Sequence, residues 1–103
     1  MKVDFRNKRL IELYSEGTSK KYKISKQVLR KFFIGIRALE SADTIHDLWK
    51  TPSLKFEKLE GFANRYSIRL TREWRLEMEI DWEDEEKTRG EIFLVELSKH
   101  YGD

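Results

Sequence analysis

Four arginines and a histidine–tyrosine pair are the residues of this sequence whose types suit chemistry on a phosphate group. The arginines are Arg65, Arg69, Arg72 and Arg75, and the pair is His100 and Tyr101. Cleavage of RNA through its 2′-hydroxyl needs a proton acceptor, a group that meets the added charge on the phosphate, and a proton donor for the leaving 5′-oxygen. Arginine suits the second task because its planar donors match phosphate oxygens and stay charged. Histidine suits the proton transfers, and tyrosine can orient the nucleophile or stack on a base.

A predicted hairpin places two of these arginines on one surface. Apolar residues alternate with polar ones from Tyr66 to Thr71, and again from Trp74 to Trp82. This pattern predicts two strands that each have one buried face and one face in water. Arg69 and Arg75 occupy outward positions on the two strands, so we expect both to be able to face one phosphate.

The end of the chain is expected to reach the same sheet. Residues 92–97 form an apolar run that only Glu96 interrupts, which predicts a strand buried on both faces. Such a strand would deliver His100 and Tyr101 to one end of the sheet that carries the arginines.

A purely structural interpretation of these residues also stands. Arg69 and Arg75 are equally placed to pair with Glu77 and Glu79 across the sheet, since charged hairpin faces are common. A histidine near a terminus, such as His100, is usually just solvated. On residue types alone the structural interpretation is slightly favoured, and both remain open at this point.

Predicted helices come before most of the predicted strands in the chain, and this order indicates the fold class. The predicted helices are Arg9 to Glu16, ended by Gly17; Ser25 to Leu39, with Ser25 as N-cap; and a short helix or turn within Ala42 to Thr51. Further predicted strands are Leu54 to Leu59 and a candidate edge strand at Lys2 to Phe5. The sequence therefore predicts an α+β fold with two or three N-terminal helices on one side of a mainly antiparallel sheet of about four strands. Residues 1–103 are expected to form one domain.

Composition and charge exclude several classes of function. The chain has no cysteine, its five glycines are scattered, and His46 and His100 have no partner at metal-ligand spacing. No disulfide, glycine-rich phosphate loop, metal site or other cofactor is therefore predicted. No apolar run suits a signal peptide or a transmembrane helix, so we expect a cytoplasmic protein without a membrane partner.

Charge is unevenly distributed although the formal net charge is only +2. Residues 19–37 are basic and contain no acid, whereas residues 77–91 are mainly acidic, so the molecule is expected to be dipolar. The basic helix is interpreted first as a core helix with a solvated basic side rather than as a nucleic-acid contact.

Three blocks of the sequence resemble HigB toxins of the RelE/ParE superfamily. They are Phe56-Glu57-Lys58-Leu59-Glu60-Gly61, the pair Tyr66-Ser67-Ile68-Arg69 and Trp74-Arg75-Leu76, and Val95-Glu96-Leu97-Ser98-Lys99-His100-Tyr101. The N-terminal helices match in order and size only. The resemblance implies a RelE-like fold and a type II toxin that cuts messenger RNA on the ribosome, as an endoribonuclease without metal. It also implies a HigA-like antitoxin as partner, with operator DNA contacted only through that antitoxin.

The resemblance implies a role for each matching residue. Arg69 and Arg75 fall on the family's arginines and are expected to bind the scissile phosphate and stabilise its charge. His100 is expected to transfer protons and Tyr101 to orient substrate or stack on a base. Family members usually have Asp-Tyr-His where this chain has Lys99-His100-Tyr101. Contacts with RNA are expected at Lys58, Arg65, Arg72 and Lys99.

Two other functions remain open for the same scaffold. One is a ParE-like gyrase inhibitor, which needs no catalytic acid or base, and the other is an inactive homologue that only binds its antitoxin. The basic helix, Ser25 to Leu39, and the acidic region, Glu83 to Glu91, are both candidate antitoxin-binding surfaces.

Overall fold

The computed structural model describes residues 1–99, in which helices cover one face of a five-stranded sheet. The helices are α1 (Lys8–Glu16), α2 (Lys26–Ser41) and α3 (Ile45–Trp49), and a 3-10 turn follows at Pro52–Leu54. The strands are β1 (Val3–Phe5), β2 (Glu57–Lys58), β3 (Tyr66–Arg69), β4 (Trp74–Trp82) and β5 (Gly90–Lys99). They lie in the order β1-β5-β4-β3-β2, and every neighbouring pair is antiparallel except β1 and β5. The predicted α+β class with a mainly antiparallel sheet is confirmed.

The two long helices begin and end within two residues of the predicted bounds. Helix α1 ends at Gly17, which has a φ of 76° and whose N–H donates to the Leu13 carbonyl; glycine adopts this left-handed conformation without a steric penalty. Helix α2 begins after Ser25, whose Oγ accepts the Val28 N–H at 3.2 Å. These caps satisfy backbone groups that would otherwise lack partners at the helix ends.

One face of the sheet forms the core together with the helices. The fully buried side chains that meet there include Leu10, Leu13, Phe32, Ile36, Leu39, Ile68, Leu76, Met78, Ile80, Ile92 and Leu94. Because successive strand residues point to opposite faces, the polar residues between them lie on the other face. We call this other face the open sheet face. It carries Glu57, Ser67, Arg69, Arg75, Glu77, Glu79, Phe93, Glu96 and Ser98.

Strand β5 departs from the prediction because it contains a β-bulge. Glu77 pairs with Glu96 but the next residue, Met78, pairs with Leu94, so Val95 is the extra residue. The bulge reverses the alternation along β5: Leu94 is buried before it and Leu97 after it, with 0% and 3% exposure. The prediction of a strand buried on both faces is therefore wrong, since residues of β5 on the open sheet face are only half-buried.

The predicted strand from Leu54 to Leu59 is mostly not a strand. Only Glu57–Lys58 pair with β3, while Pro52–Leu54 form a 3-10 turn whose Leu54 is buried. Pro52 opens this turn because its fixed φ suits a helical start and its missing N–H is not needed there. The predicted edge strand near the N-terminus is confirmed as β1. Within residues 1–99, no helix combines the length and apolar character needed to cross a membrane.

Candidate functional site

The hairpin of β3 and β4 brings Arg69 and Arg75 directly opposite each other. The two residues are register partners at the end of the ladder where the chain turns from β3 into β4. Both point to the open sheet face, because their neighbours Ile68 and Leu76 are fully buried on the core face. The sequence predicted that these arginines share a surface, and the register confirms it.

Three side chains fix the position of the Arg75 guanidinium. Its Nε donates to Ser98 Oγ at 3.2 Å, and the Ser98 hydroxyl in turn donates to Glu77 Oε2 at 2.5 Å. Arg75 Nε lies 3.7 Å from the same Glu77 oxygen, and Arg75 Nη1 lies 3.7 Å from Glu57 Oε1. The Arg75 side chain is 23% exposed, so its guanidinium is held in place but remains accessible from the open sheet face.

Arg69 has a different environment from Arg75. None of the hydrogen bonds or ion pairs formed among residues 1–99 involves the Arg69 side chain, which is half-buried. Two like charges directly opposite each other on a sheet repel. The pair is therefore arranged so that an anion between the guanidinium groups would relieve the repulsion and gain donors from both.

Arg65 is committed to carboxylates instead of being free for a ligand. Its guanidinium lies 3.0 Å from Glu77, 3.4 Å from Glu79 and 3.4 Å from Glu96, and its side chain is only 16% exposed. It also lies over the Phe62 ring at 4.6 Å. Contact between Arg65 and RNA stays a prediction, whereas the role that the geometry gives it is to compensate and orient Glu77.

Glu77 connects the two arginine environments. It is 6% exposed, and its two oxygens face different partners, Arg65 on one side and Ser98 with Arg75 on the other. A buried carboxylate needs such compensation because desolvation of an unpaired charge is costly. The chain Arg65–Glu77–Ser98–Arg75 thus supports the guanidinium that faces the ligand side.

A hollow of about 560 Å³ adjoins Arg75 on the open sheet face. Its lining residues are Glu57, Lys58, Leu59, Glu60, Phe62, Arg75, Glu77 and Glu96. Lys58, predicted to contact RNA, is exposed at its edge. The Glu57 side chain is 50% exposed, so it is the carboxylate beside Arg75 that is most open to a ligand.

The remaining predicted site residues lie elsewhere or outside the described part of the chain. Arg72 and Lys99 line a second cavity with Trp74, on the helix side of the sheet. The tryptophan packs against the core cluster, and the Lys99 ammonium lies 5.4 Å from its ring centroid. His100 and Tyr101 lie outside the described residues, so their predicted roles stay predictions.

The sequence interpretation missed two residues of the site, Glu57 and Ser98, as partners of Arg75. Pairing of Glu77 with Arg75 was part of the structural alternative, and the contact is present. Ser98 reaches Arg75 only because the bulge at Val95 shifts the alternation of β5. The same structural alternative paired Glu79 with Arg69 or Arg75, whereas in the structure Glu79 pairs with Arg65.

Comparison with known proteins places the chain among toxins. Residues 3–90 match the sequence model of the RelE-like toxin of the type II toxin–antitoxin system HigB. The structure is similar to a YoeB/ParE toxin from Agrobacterium tumefaciens, with a TM-score of 0.53 and 17% identity over 98% of this chain and all of that one. It is also similar to a YoeB dimer from Staphylococcus aureus, with a TM-score of 0.52 and 16% identity over 98% of each chain. No curated protein matches the sequence.

Proposed function

The chain belongs to the HigB-like toxins, the RelE-like toxins of type II toxin–antitoxin systems, and from this premise we propose that it is an endoribonuclease that cleaves messenger RNA on the ribosome. A toxin of this type has a cognate antitoxin as its partner. We propose further that this antitoxin is HigA-like, that operator DNA is contacted only through it, and that the toxin acts in the cytoplasm.

The observation that carries the proposal is the opposed pair Arg69 and Arg75 on the open sheet face. A phosphate between two guanidinium groups accepts hydrogen bonds from both, and the added charge of its pentavalent state strengthens them. Arg75 is already oriented by Ser98 and Glu77, so little reorganisation is needed when that charge develops. Arg69 supplies the charge that has no carboxylate partner among residues 1–99.

The proton transfers are assigned to groups around this pair. Glu57 is the exposed carboxylate 3.7 Å from Arg75, and it is placed to accept the proton of the 2′-hydroxyl as that oxygen attacks phosphorus. The bond from phosphorus to the 5′-oxygen then breaks, and the leaving oxygen takes a proton from His100, by analogy with the family. Tyr101 is proposed to orient the substrate or stack on a base, and these steps use side chains alone.

The test replaces both arginines by alanine. In cells that express the wild-type protein, brief induction should arrest growth and create new RNA 5′ ends within coding sequences, which sequencing of RNA ends detects. Arg69→Ala with Arg75→Ala should remove these ends, because losing one such donor typically lowers a rate by about 10²–10³-fold. A matched control, Arg37→Ala with Lys50→Ala, removes the same charge from exposed helix-side positions and should leave cleavage intact.

The same experiment separates the other functions of this scaffold. Growth arrest with DNA damage and intact messenger RNA would replace the proposal by gyrase inhibition. Absence of any growth defect would mean a chain that only binds its antitoxin. Full toxicity of the double variant with unchanged RNA ends would place the cleavage site elsewhere on the molecule.

A further inference from the structure

We propose that a cavity on the helix side of the sheet binds a phosphate of the same RNA strand that the open sheet face is proposed to cleave; the inference rests on that proposed function. The cavity has a volume of about 440 Å³ and lies between the start of α2 and the β3–β4 turn. We call it the α2 pocket, and its lining includes Lys23, Ser25, Gln27, Arg72, Trp74 and Lys99.

Three cations from separate parts of the chain converge on the α2 pocket. Lys23 precedes α2, Arg72 lies in the β3–β4 turn, and Lys99 ends β5. The one carboxylate in its lining is Glu73. Within residues 1–99, no ion pair engages Lys23, Arg72 or Lys99. Three cations beside a single carboxylate leave an excess of positive charge, which costs free energy unless an anion joins them, so the cavity is suited to a phosphate.

The charges of α2 strengthen the positive potential at this end of the helix. The first turn of α2 contains no acid and begins with Lys26, and its last turn contains no base. This is the reverse of the distribution that the helix macrodipole favours, which places acids first and bases last. Arg30 follows Lys26 at a spacing of four residues, where like charges destabilise a helix. Lys26 and Arg30 thus lie where they weaken the helix, and such an unfavourable placement indicates that they interact with an external anion.

The α2 pocket and the proposed cleavage site lie back to back at one end of the sheet. Trp74 pairs with Lys99, and the next pair along the ladder is Arg75 with Ser98. Adjacent residues in a strand point to opposite faces, so one pair faces the pocket and the next faces the cleavage site. A strand of RNA whose cleaved phosphate lies on the open sheet face reaches the pocket by passing over the β3–β4 turn at Arg72.

The test measures binding of a single-stranded RNA whose 2′-oxygens are methylated, so that binding is read without cleavage. Fluorescence anisotropy at several salt concentrations gives the slope of log affinity against log salt. The variant Lys23→Ala, Arg72→Ala, Lys99→Ala should lower the magnitude of this slope by roughly 2, since each phosphate contact of a single strand contributes about 0.7. The control Lys31→Ala, Arg37→Ala, Lys50→Ala removes three exposed cations outside the pocket and should change the slope by much less.

The outcomes distinguish this inference from the proposed function. If Arg69→Ala with Arg75→Ala fails to abolish cleavage while the triple variant lowers the slope, the pocket stands and the cleavage site is wrong. A wild-type slope in the triple variant overturns the pocket. The pocket is also overturned if the triple variant loses binding to ribosomes or to an acidic peptide while its oligonucleotide slope is unchanged. The three cations would then bind ribosomal RNA or a protein partner. Arg72→Ala alone, in an exposed turn, should lower the slope by about 0.7 and tests the inference if the triple variant does not fold.

Discussion

Removing either arginine of the opposed pair should abolish RNA cleavage, but the two removals should change stability in opposite directions. Arg69→Gln deletes a charge that faces Arg75 across the ladder and has no ion-pair partner among residues 1–99. Cross-strand pair energies are about 0.2–1 kcal/mol, and like charges directly opposite are unfavourable. The variant should therefore be more stable by up to about 1 kcal/mol, which raises Tm by up to roughly 4–8 °C for a domain of this size.

Arg75→Gln should instead destabilise the fold. The substitution removes the hydrogen bond to Ser98 and one of the cations near Glu77, which is only 6% exposed. Hydrogen bonds to charged groups contribute about 1.5–3 kcal/mol, and the partial exposure of Arg75 argues for the lower end. A loss of about 1–2 kcal/mol corresponds to a fall in Tm of roughly 4–16 °C.

Thermal unfolding followed by circular dichroism, with and without 1 M salt, checks both signs. The stabilisation by Arg69→Gln should shrink at high salt, because the Debye length falls to about 3 Å and the repulsion is screened. Arg37→Gln, at an exposed position of α2 outside the α2 pocket, serves as the charge-matched control with little expected change. If Arg69→Gln lowered Tm as much as Arg75→Gln does, Arg69 would have a structural partner, and an anion site between the two arginines would be refuted.

Two further predictions concern Gly90 at the start of β5 and Asp84 in the loop that joins β4 to β5. Gly90→Ala should lower Tm by several degrees, because its Cβ would lie 2.5 Å from the Asp81 carbonyl oxygen and overpacking costs about 1–3 kcal/mol; Ser53→Ala at an exposed position is the control in the same melting experiment, and an unchanged Tm for Gly90→Ala would contradict the close approach of the strands. The pKa of Asp84 lies below its ordinary value of 3.8 because the Thr88 hydroxyl, with the N–H groups of Thr88 and Arg89, donates to its carboxylate. A lowered folded-state pKa means that this stabilisation is fully present above the unfolded pKa and is lost as pH falls through the folded one; the Tm difference between wild type and Asp84→Asn should therefore be present at pH 7, begin to shrink as pH falls below the ordinary value of 3.8, and vanish only below the folded-state pKa.

The hairpin register was predictable from the sequence because it depends on a local pattern. Alternation of apolar and polar residues fixes which side chains share a face, since a slip of one residue would expose the whole apolar set. Ile68 and Leu76 are both fully buried, and their neighbours Arg69 and Arg75 meet on the other face as predicted. The helix ends were predictable for a similar reason, because Gly17 and Ser25 are suited to conformations that few other residues adopt as readily.

The partners of the arginines were not predictable because they depend on long-range register. Arg65 meets carboxylates from β4 and β5, at Glu77, Glu79 and Glu96. Composition shows only that acids outnumber bases on these strands, by five to two, so several carboxylates are available to each arginine. Which arginine is neutralised and which stays available depends on sheet order and strand spacing, and no sequence window near Arg65 contains that information.

The bulge at Val95 links the packing of the core to the proposed chemistry. Simple alternation from Ile92 and Leu94 would bury Glu96 and expose Leu97, leaving an unpaired charge in the core. One extra residue restores Leu97 to the core and turns Glu96 and Ser98 to the open sheet face. Ser98 can then accept from Arg75 and donate to Glu77. The continuous apolar run therefore reflects a change in alternation within β5 and not a strand buried on both faces. That change places Ser98 beside Arg75.

The positive charge that the open sheet face offers to a ligand therefore depends on the position of each arginine and not on the total number of arginines. Most of its arginines are matched by carboxylates, with Arg65 between three of them and Arg6 2.6 Å from Glu79. A polyanion gains little from neutralised pairs, because each contact would have to displace an existing partner. Arg69, at the end of the β3–β4 ladder, has a positive charge that no carboxylate among residues 1–99 neutralises. It lies next to the turn that leads to the α2 pocket. An RNA strand should therefore bind this face at one end of the sheet, and lysine substitutions at Glu79 or Glu96 would be expected to extend binding along it.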